Sequence, residues 1–103
     1  MKVIESLQEA NNVLNSLDRS LVCFTARWCP PCRMINLAIE SFEDEHDDAN
    51  IYKIDVHQFK ELAESLNATA VPVTFVIENG HIVKSIKGFI DSDGLAKIYY
   101  EKE

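Results

Sequence analysis

The sequence predicts an α/β fold: one mixed sheet with helices packed on both faces, in the order β-α-β-α-β-α-β-β-α. Three observations carry this. Short apolar runs alternate along the chain with stripes of apolar residues three and four apart, as strands alternate with amphipathic helices. The last two strand-like runs flank Glu78-Asn79-Gly80-His81, where Asn-Gly supplies the positive φ of a type I′ hairpin turn. Helices between the early strands require right-handed parallel crossovers, whereas the closing hairpin adds antiparallel pairing.

Val3 and Ile4 begin a short strand. Leu7, Ala10, Val13 or Leu14, and Leu17 then mark the apolar face of a first helix. "SLVCFTA", Ser20 to Ala26, is a nearly continuous apolar run, the pattern of a strand buried on both faces. A second stripe, Met34, Ile35, Ala38, Ile39 and Phe42, ends in the acidic "EDEHDD", which reads as a solvated helix end. Acids there oppose the helix dipole and predict fraying. "NIYKIDV" is the next strand, and Phe59, Leu62, Ala63 and Leu66 mark a third helix. "VTFVI" and "IVKSIK" form the hairpin, and Asp91 or Ser92 caps a last helix through Leu95, Ile98 and Tyr99.

No internal repeat, low-complexity tract or linker interrupts this order, and 103 residues suit a single domain over 1–103 with a core that needs no staples. The formal charge is -7, from 17 acids against 10 bases. That argues against a nucleic-acid partner and against docking on anionic lipid, both of which need a basic footprint. No run approaches the ~20 apolar residues of a membrane span, and "MKVIESLQEANN" has no continuous apolar stretch of the kind a secretory signal needs. Three cysteines without such a signal do not make a disulfide framework, so a reducing cytoplasm is the expected compartment.

The chemistry concentrates in "FTARWCPPCRMI", Phe24 to Ile35. Cys29 follows a buried strand and opens a helix, where unsatisfied N–H groups and the helix dipole favour a thiolate. Cys32 lies one turn on, on the same face, within reach of a disulfide. This makes Cys29 the nucleophile and Cys32 the thiol that resolves a mixed disulfide. Pro30 biases Cys29 toward the extended geometry of an N-cap, and prolines are tolerated in a first turn. With Cys29 as N-cap, Pro31 removes one useful donor and the Cys32 N–H remains; Pro31 also disfavours the helical conformation at Pro30, which allows a start one residue later. The competing role for the pair is half of a zinc site, but Cys23, His46, His57 and His81 supply no second closely spaced pair. Cys23, inside an apolar strand, reads as an inert core residue. The histidines have no visible catalytic neighbour and default to the surface.

Over its whole length the chain resembles the thioredoxin family, with "WCPPC" where the family usually has Trp-Cys-Gly-Pro-Cys. The features that align in order are "FTARWCPPCRMI" after a strand, the "YKIDV" strand, "AVPVTFVIENG", and "KGF" before the last helix. The Pro-Pro pair is also seen in tryparedoxins, nucleoredoxins and some plant thioredoxins. The resemblance implies a thioredoxin fold and a thiol-disulfide oxidoreductase that reduces protein disulfides, with Cys29 as nucleophile and Cys32 as resolving thiol. Trp28 would border the site and Pro72 would be a cis-proline facing it. A client segment would lie extended over Trp28, Pro30, Val71, Pro72 and Phe89, paired with the Val71 backbone as a short added strand. No bound cofactor is implied; reducing equivalents would come from a thioredoxin-reductase-like, NADPH-dependent partner, the clients would be disulfide-containing proteins, and the protein would act as a monomer.

Three positions depart from the family pattern. Its buried aspartate, which assists proton transfer at the resolving thiol, falls on Cys23, with Lys53 at the position of the lysine that neighbours it. The proline inside the second helix falls on Leu37, and the threonine after the cis-proline is Val73. Cys23 and Lys53 are therefore the candidate proton-transfer neighbourhood. Two other functions share these residues: a disulfide oxidant or isomerase, which a higher reduction potential would reveal, and a binding module that keeps the fold without fast thiol chemistry.

Overall fold

The structure, a computed structural model, describes residues 1–101. Its elements are β1 (Lys2–Val3), α1 (Leu7–Leu14), β2 (Ser20–Thr25), α2 (Pro30–Glu45), β3 (Ile51–Asp55), α3 (Lys60–Ser65), β4 (Val73–Glu78), β5 (His81–Lys87) and α4 (Ser92–Tyr100), in the order expected. The sheet runs β1-β3-β2-β4-β5. β1 and β2 lie parallel to β3, while β4 pairs antiparallel with both β2 and β5.

Strand β2 is central, and all six of its residues are buried, as a strand covered on both faces must be. Its alternate side chains feed two cores. Val22 and Phe24 join Ile54, Phe75 and Ile77 beneath α1 and α3. Leu21 and Cys23 join Ile35, Ile39, Phe42, Leu95 and Tyr99 beneath α2 and α4. The hairpin turn has φ of 54° at Asn79 and 74° at Gly80, the two positive values of a type I′ turn. Its tip is tied to the loop after α1 by Gly80 N–H to Ser16 O, 2.8 Å. Asp91 caps α4 by accepting from Gly94 N–H at 2.8 Å.

Some expected core positions lie outside it. Leu7, Leu17 and Met34 are exposed at 55%, 76% and 55%. Helix α1 ends at Leu14 with Asn15 as its C-cap, so Leu17 falls in the following loop, and Leu7 is the first helical residue, beyond the buried pair Ala10 and Val13. Met34 is one step round the helix from Ile35, which takes the sheet-facing position. The helix marked by Phe59 to Leu66 is shorter than its stripe: both residues flank α3 as caps while still packing on the core.

The acidic end of α2 is solvated at Asp44, Glu45, Asp47 and Asp48 but is also held. Glu43 accepts from the Met1 ammonium, the His46 ring lies 4.8 Å from Phe42 and 5.0 Å from Tyr100, and Asp48 accepts from the Tyr100 hydroxyl at 2.9 Å. These ties from the N-terminus and α4 oppose the fraying that the charge pattern predicts. Among the described residues, no helix is long and apolar enough to cross a membrane.

Candidate active site

The antiparallel pairing of β2 with β4 brings the C-terminal end of one to the N-terminal start of the other, with Phe24 opposite Val73. The segment leaving β2 carries Trp28 and Cys29, and the one entering β4 carries Val71 and Pro72. They converge: Cys29 Sγ lies 3.6 Å from the Val71 carbonyl oxygen. The Val71–Pro72 peptide bond is cis, as the resemblance implies. The Pro72 carbonyl accepts from Gly88 N–H at 2.8 Å, which ties the end of β5 and the adjoining Phe89 to the same loop.

Cys29 is the N-cap of α2, with extended backbone at φ −103° and ψ 106°, and the helix begins at Pro30 without the delay that Pro31 allows. Cys29 and Cys32 form a disulfide with Cα atoms 5.1 Å apart. The two sulfurs have different surroundings. Cys29 is half-buried, while Cys32 is only 1% exposed. Two prolines leave Cys32 as the first residue of α2 with an N–H, and that group donates to Cys29 O at 3.0 Å. The Cys29 sulfur therefore receives the field of the helix rather than a direct bond from this donor.

Around the pair, Trp28 is 84% exposed and Phe89 48%, Pro30 is exposed, Val71 is half-buried, and Pro72 is buried. Trp28 lines a shallow groove with Arg27, Asp55 and His57. His57 and His81 are exposed, and His46 is half-buried. Among the described residues, no group of three or more histidine, cysteine or acidic side chains is placed to hold a metal.

Cys23 is a free thiol, 1% exposed, opposite Lys53 in β3 and Thr74 in β4. Burial pushes its thiol up to about 11, against the opposing effects of the Thr74 hydroxyl and the Lys53 charge. It stays protonated at neutral pH. Lys53 instead reaches a pocket of about 350 Å³ whose wall includes Cys32, Arg27, Arg33, Asn36 and Asp55. Cys23 does not line it. Sequence reasoning passed over Arg27, Arg33, Asn36 and Asp55. One signal was available for Asp55: strand alternation puts Ile51, Lys53 and Asp55 on one face, and Ile51 packs in the core beneath α2.

A family model described as thioredoxin matches residues 3–101. Thioredoxin H2 of Arabidopsis thaliana is 34% identical over 82 residues, which cover 80% of this chain and 57% of that protein. Thioredoxin-2 of Saccharomyces cerevisiae is 33% identical over 86 residues, 82% of this chain and 83% of that one. Among solved structures, the thioredoxin of Fasciola hepatica superposes with a TM-score of 0.83 at 28% identity, over 96% of each chain. Thioredoxins use a redox-active disulfide without a bound cofactor, and the Cys29–Cys32 pair at the head of α2 fits that role. The chain belongs to the thioredoxin family and is a thiol-disulfide oxidoreductase of the protein-disulfide-reductase kind.

Proposed function

We propose that the protein reduces disulfides in client proteins with Cys29 as nucleophile and Cys32 as resolving thiol. The carrying observation is the asymmetry of the pair: Cys29 is half-buried beside Val71, and Cys32 is enclosed behind it. The Cys29 thiolate attacks one client sulfur, the other leaves as a thiolate and takes a proton from solvent, and a mixed disulfide forms. Cys32 then loses its proton and attacks Cys29 Sγ. The second client sulfur leaves with the electron pair of the broken bond, and two electrons have passed from the dithiol to the client.

Trp28, Pro30 and Phe89 present the apolar surface on which an extended client segment lies, and the Val71 carbonyl offers it a backbone acceptor. Pro72, being buried, contributes backbone geometry rather than contact area. The disulfide is returned to the dithiol by a thioredoxin-reductase-like partner that draws on NADPH, and the protein works as a monomer in the cytoplasm. The test is reduction of the oxidised protein by NADPH with a panel of reductases, with glutathione beside them. Fast turnover with a thioredoxin reductase supports the reading; reduction by glutathione alone overturns the choice of donor.

A further inference from the structure

Cys32 is enclosed, yet its thiol proton has to leave before its sulfur can attack. We propose that Asp55 takes this proton, through water in the pocket that Cys32 and Asp55 both line. The inference rests on Cys32 being the resolving thiol.

Asp55 is the only carboxylate among the described residues lining that pocket. It sits opposite Thr25 in the β2–β3 register, on the sheet face that carries Lys53 and Cys23 and packs beneath α2. Its carboxylate is held in place at one oxygen: Oδ1 accepts from His57 N–H at 2.7 Å and from Gln58 N–H at 3.2 Å. The other oxygen makes no hydrogen bond or ion pair to the described residues. A volume of about 350 Å³ has room for several waters at roughly 30 Å³ each. Asn36 Oδ1, buried on the wall of the pocket without a protein partner, marks one place where water is needed. Arg27, Arg33 and Lys53 are the other charged groups on this wall, and none is ion-paired among the described residues. Their positive charge favours a thiolate at Cys32 as its proton leaves. Cys23 is no competitor, since it lies outside the pocket and its own thiol holds its proton to about pH 11.

The step balances. The Cys32 S–H bond breaks, its proton passes to water, and a water proton passes to Asp55. The electron pair left on Cys32 Sγ forms the bond to Cys29 Sγ, and the bond from Cys29 to the client sulfur breaks, with its pair leaving on the client. Asp55 later returns the proton to solvent through the pocket mouth.

The two thiol steps separate in stopped flow with a nitrobenzoate disulfide, which releases one coloured thiolate on attack by Cys29 and a second on resolution by Cys32. Asp55→Asn keeps an oxygen to accept from His57 and Gln58, so the turn is retained while the base is lost. The expected result is an unchanged first phase and a second phase slowed about tenfold at neutral pH. That deficit should shrink as pH rises and hydroxide replaces the carboxylate, and Asp55→Glu should recover most of the rate. A second phase within about twofold of the parent from pH 6 to 9, or an equal slowing of both phases, overturns the proposal. A second phase that survives in Cys32→Ser overturns the assignment of Cys32 itself, a different failure.

Discussion

The Thr74 hydroxyl donates to Cys23 Sγ across the β2–β4 pair at 3.7 Å, with both residues 1% exposed. Burial, acting against this hydrogen bond, holds the thiol neutral in the core, and its raised value has a consequence for stability. Below about pH 8.5 both folded and unfolded chains keep this proton, and Cys23 adds no pH dependence. Above that, the unfolded chain loses the proton first, while the folded chain holds it to about 11. The stability present at neutral pH is therefore lost as pH rises through this window, by an amount on the order of 3 kcal/mol. Urea unfolding of the parent and of Cys23→Ala at neutral and alkaline pH isolates the effect of Cys23 from that of the rest of the chain. The parent should lose more stability than the variant; parallel losses would remove Cys23 from the account.

At neutral pH, Cys23→Ala should cost about 1–3 kcal/mol through lost packing and the unpartnered Thr74 hydroxyl. Turnover should stay within about twofold, because the reaction draws on the Cys32 pocket rather than on Cys23. A loss of turnover comparable to that of Cys29→Ser would contradict this placement.

Arg19 gathers the end of the last helix. Its guanidinium donates to the carbonyl oxygens of Tyr99, Ile98 and Glu101, with the latter two at 3.1 and 3.0 Å, and pairs with Glu78 at 3.2 Å. Its side chain is 10% exposed. Arg19→Ala should cost about 2–4 kcal/mol and raise amide exchange in α4, and Arg19→Lys should recover little, since an ammonium does not reproduce the planar fork. Unchanged exchange in α4 would show that the clamp adds nothing.

Gly80 isolates backbone preference from packing. An added Cβ would come no closer than 3.5 Å to Asn15 O, an ordinary contact, but φ is +74°. Gly80→Ala should therefore cost about 1–2 kcal/mol in denaturant midpoint, from the left-handed conformation alone. A neutral result would mean that the turn relaxes to another type.

The sheet and its helices were legible because their signals are local. Asn79-Gly80 dictates a turn by its own backbone preferences, and the short apolar run from Ser20 to Thr25 has the pattern of a strand covered on both faces, as the structure shows. Spacing alone marks the helical stripes but not their ends, which is why Leu7 and Leu17 belong to the apolar stripe of the first helix and are nonetheless exposed. Cys29 and Cys32 stood out because they are three apart with a buried strand before them. The pocket wall did not. Arg27, Asn36 and Asp55 are ordinary residues in sequence, and only the β2–β3 register and the seating of α2 bring them to Cys32. The ties at Glu43, His46 and Asp48 were equally hidden, because their partners Met1 and Tyr100 lie at the two far ends of the chain.

The central claim is the division of labour between two cysteines three residues apart. Brief alkylation of the reduced, folded protein at neutral pH, followed by peptide mapping, reads it directly. The account predicts modification first at Cys29, half-buried at the start of α2, with Cys32 and Cys23, each 1% exposed, protected over the same interval. Modification of Cys32 or Cys23 ahead of Cys29 would contradict it.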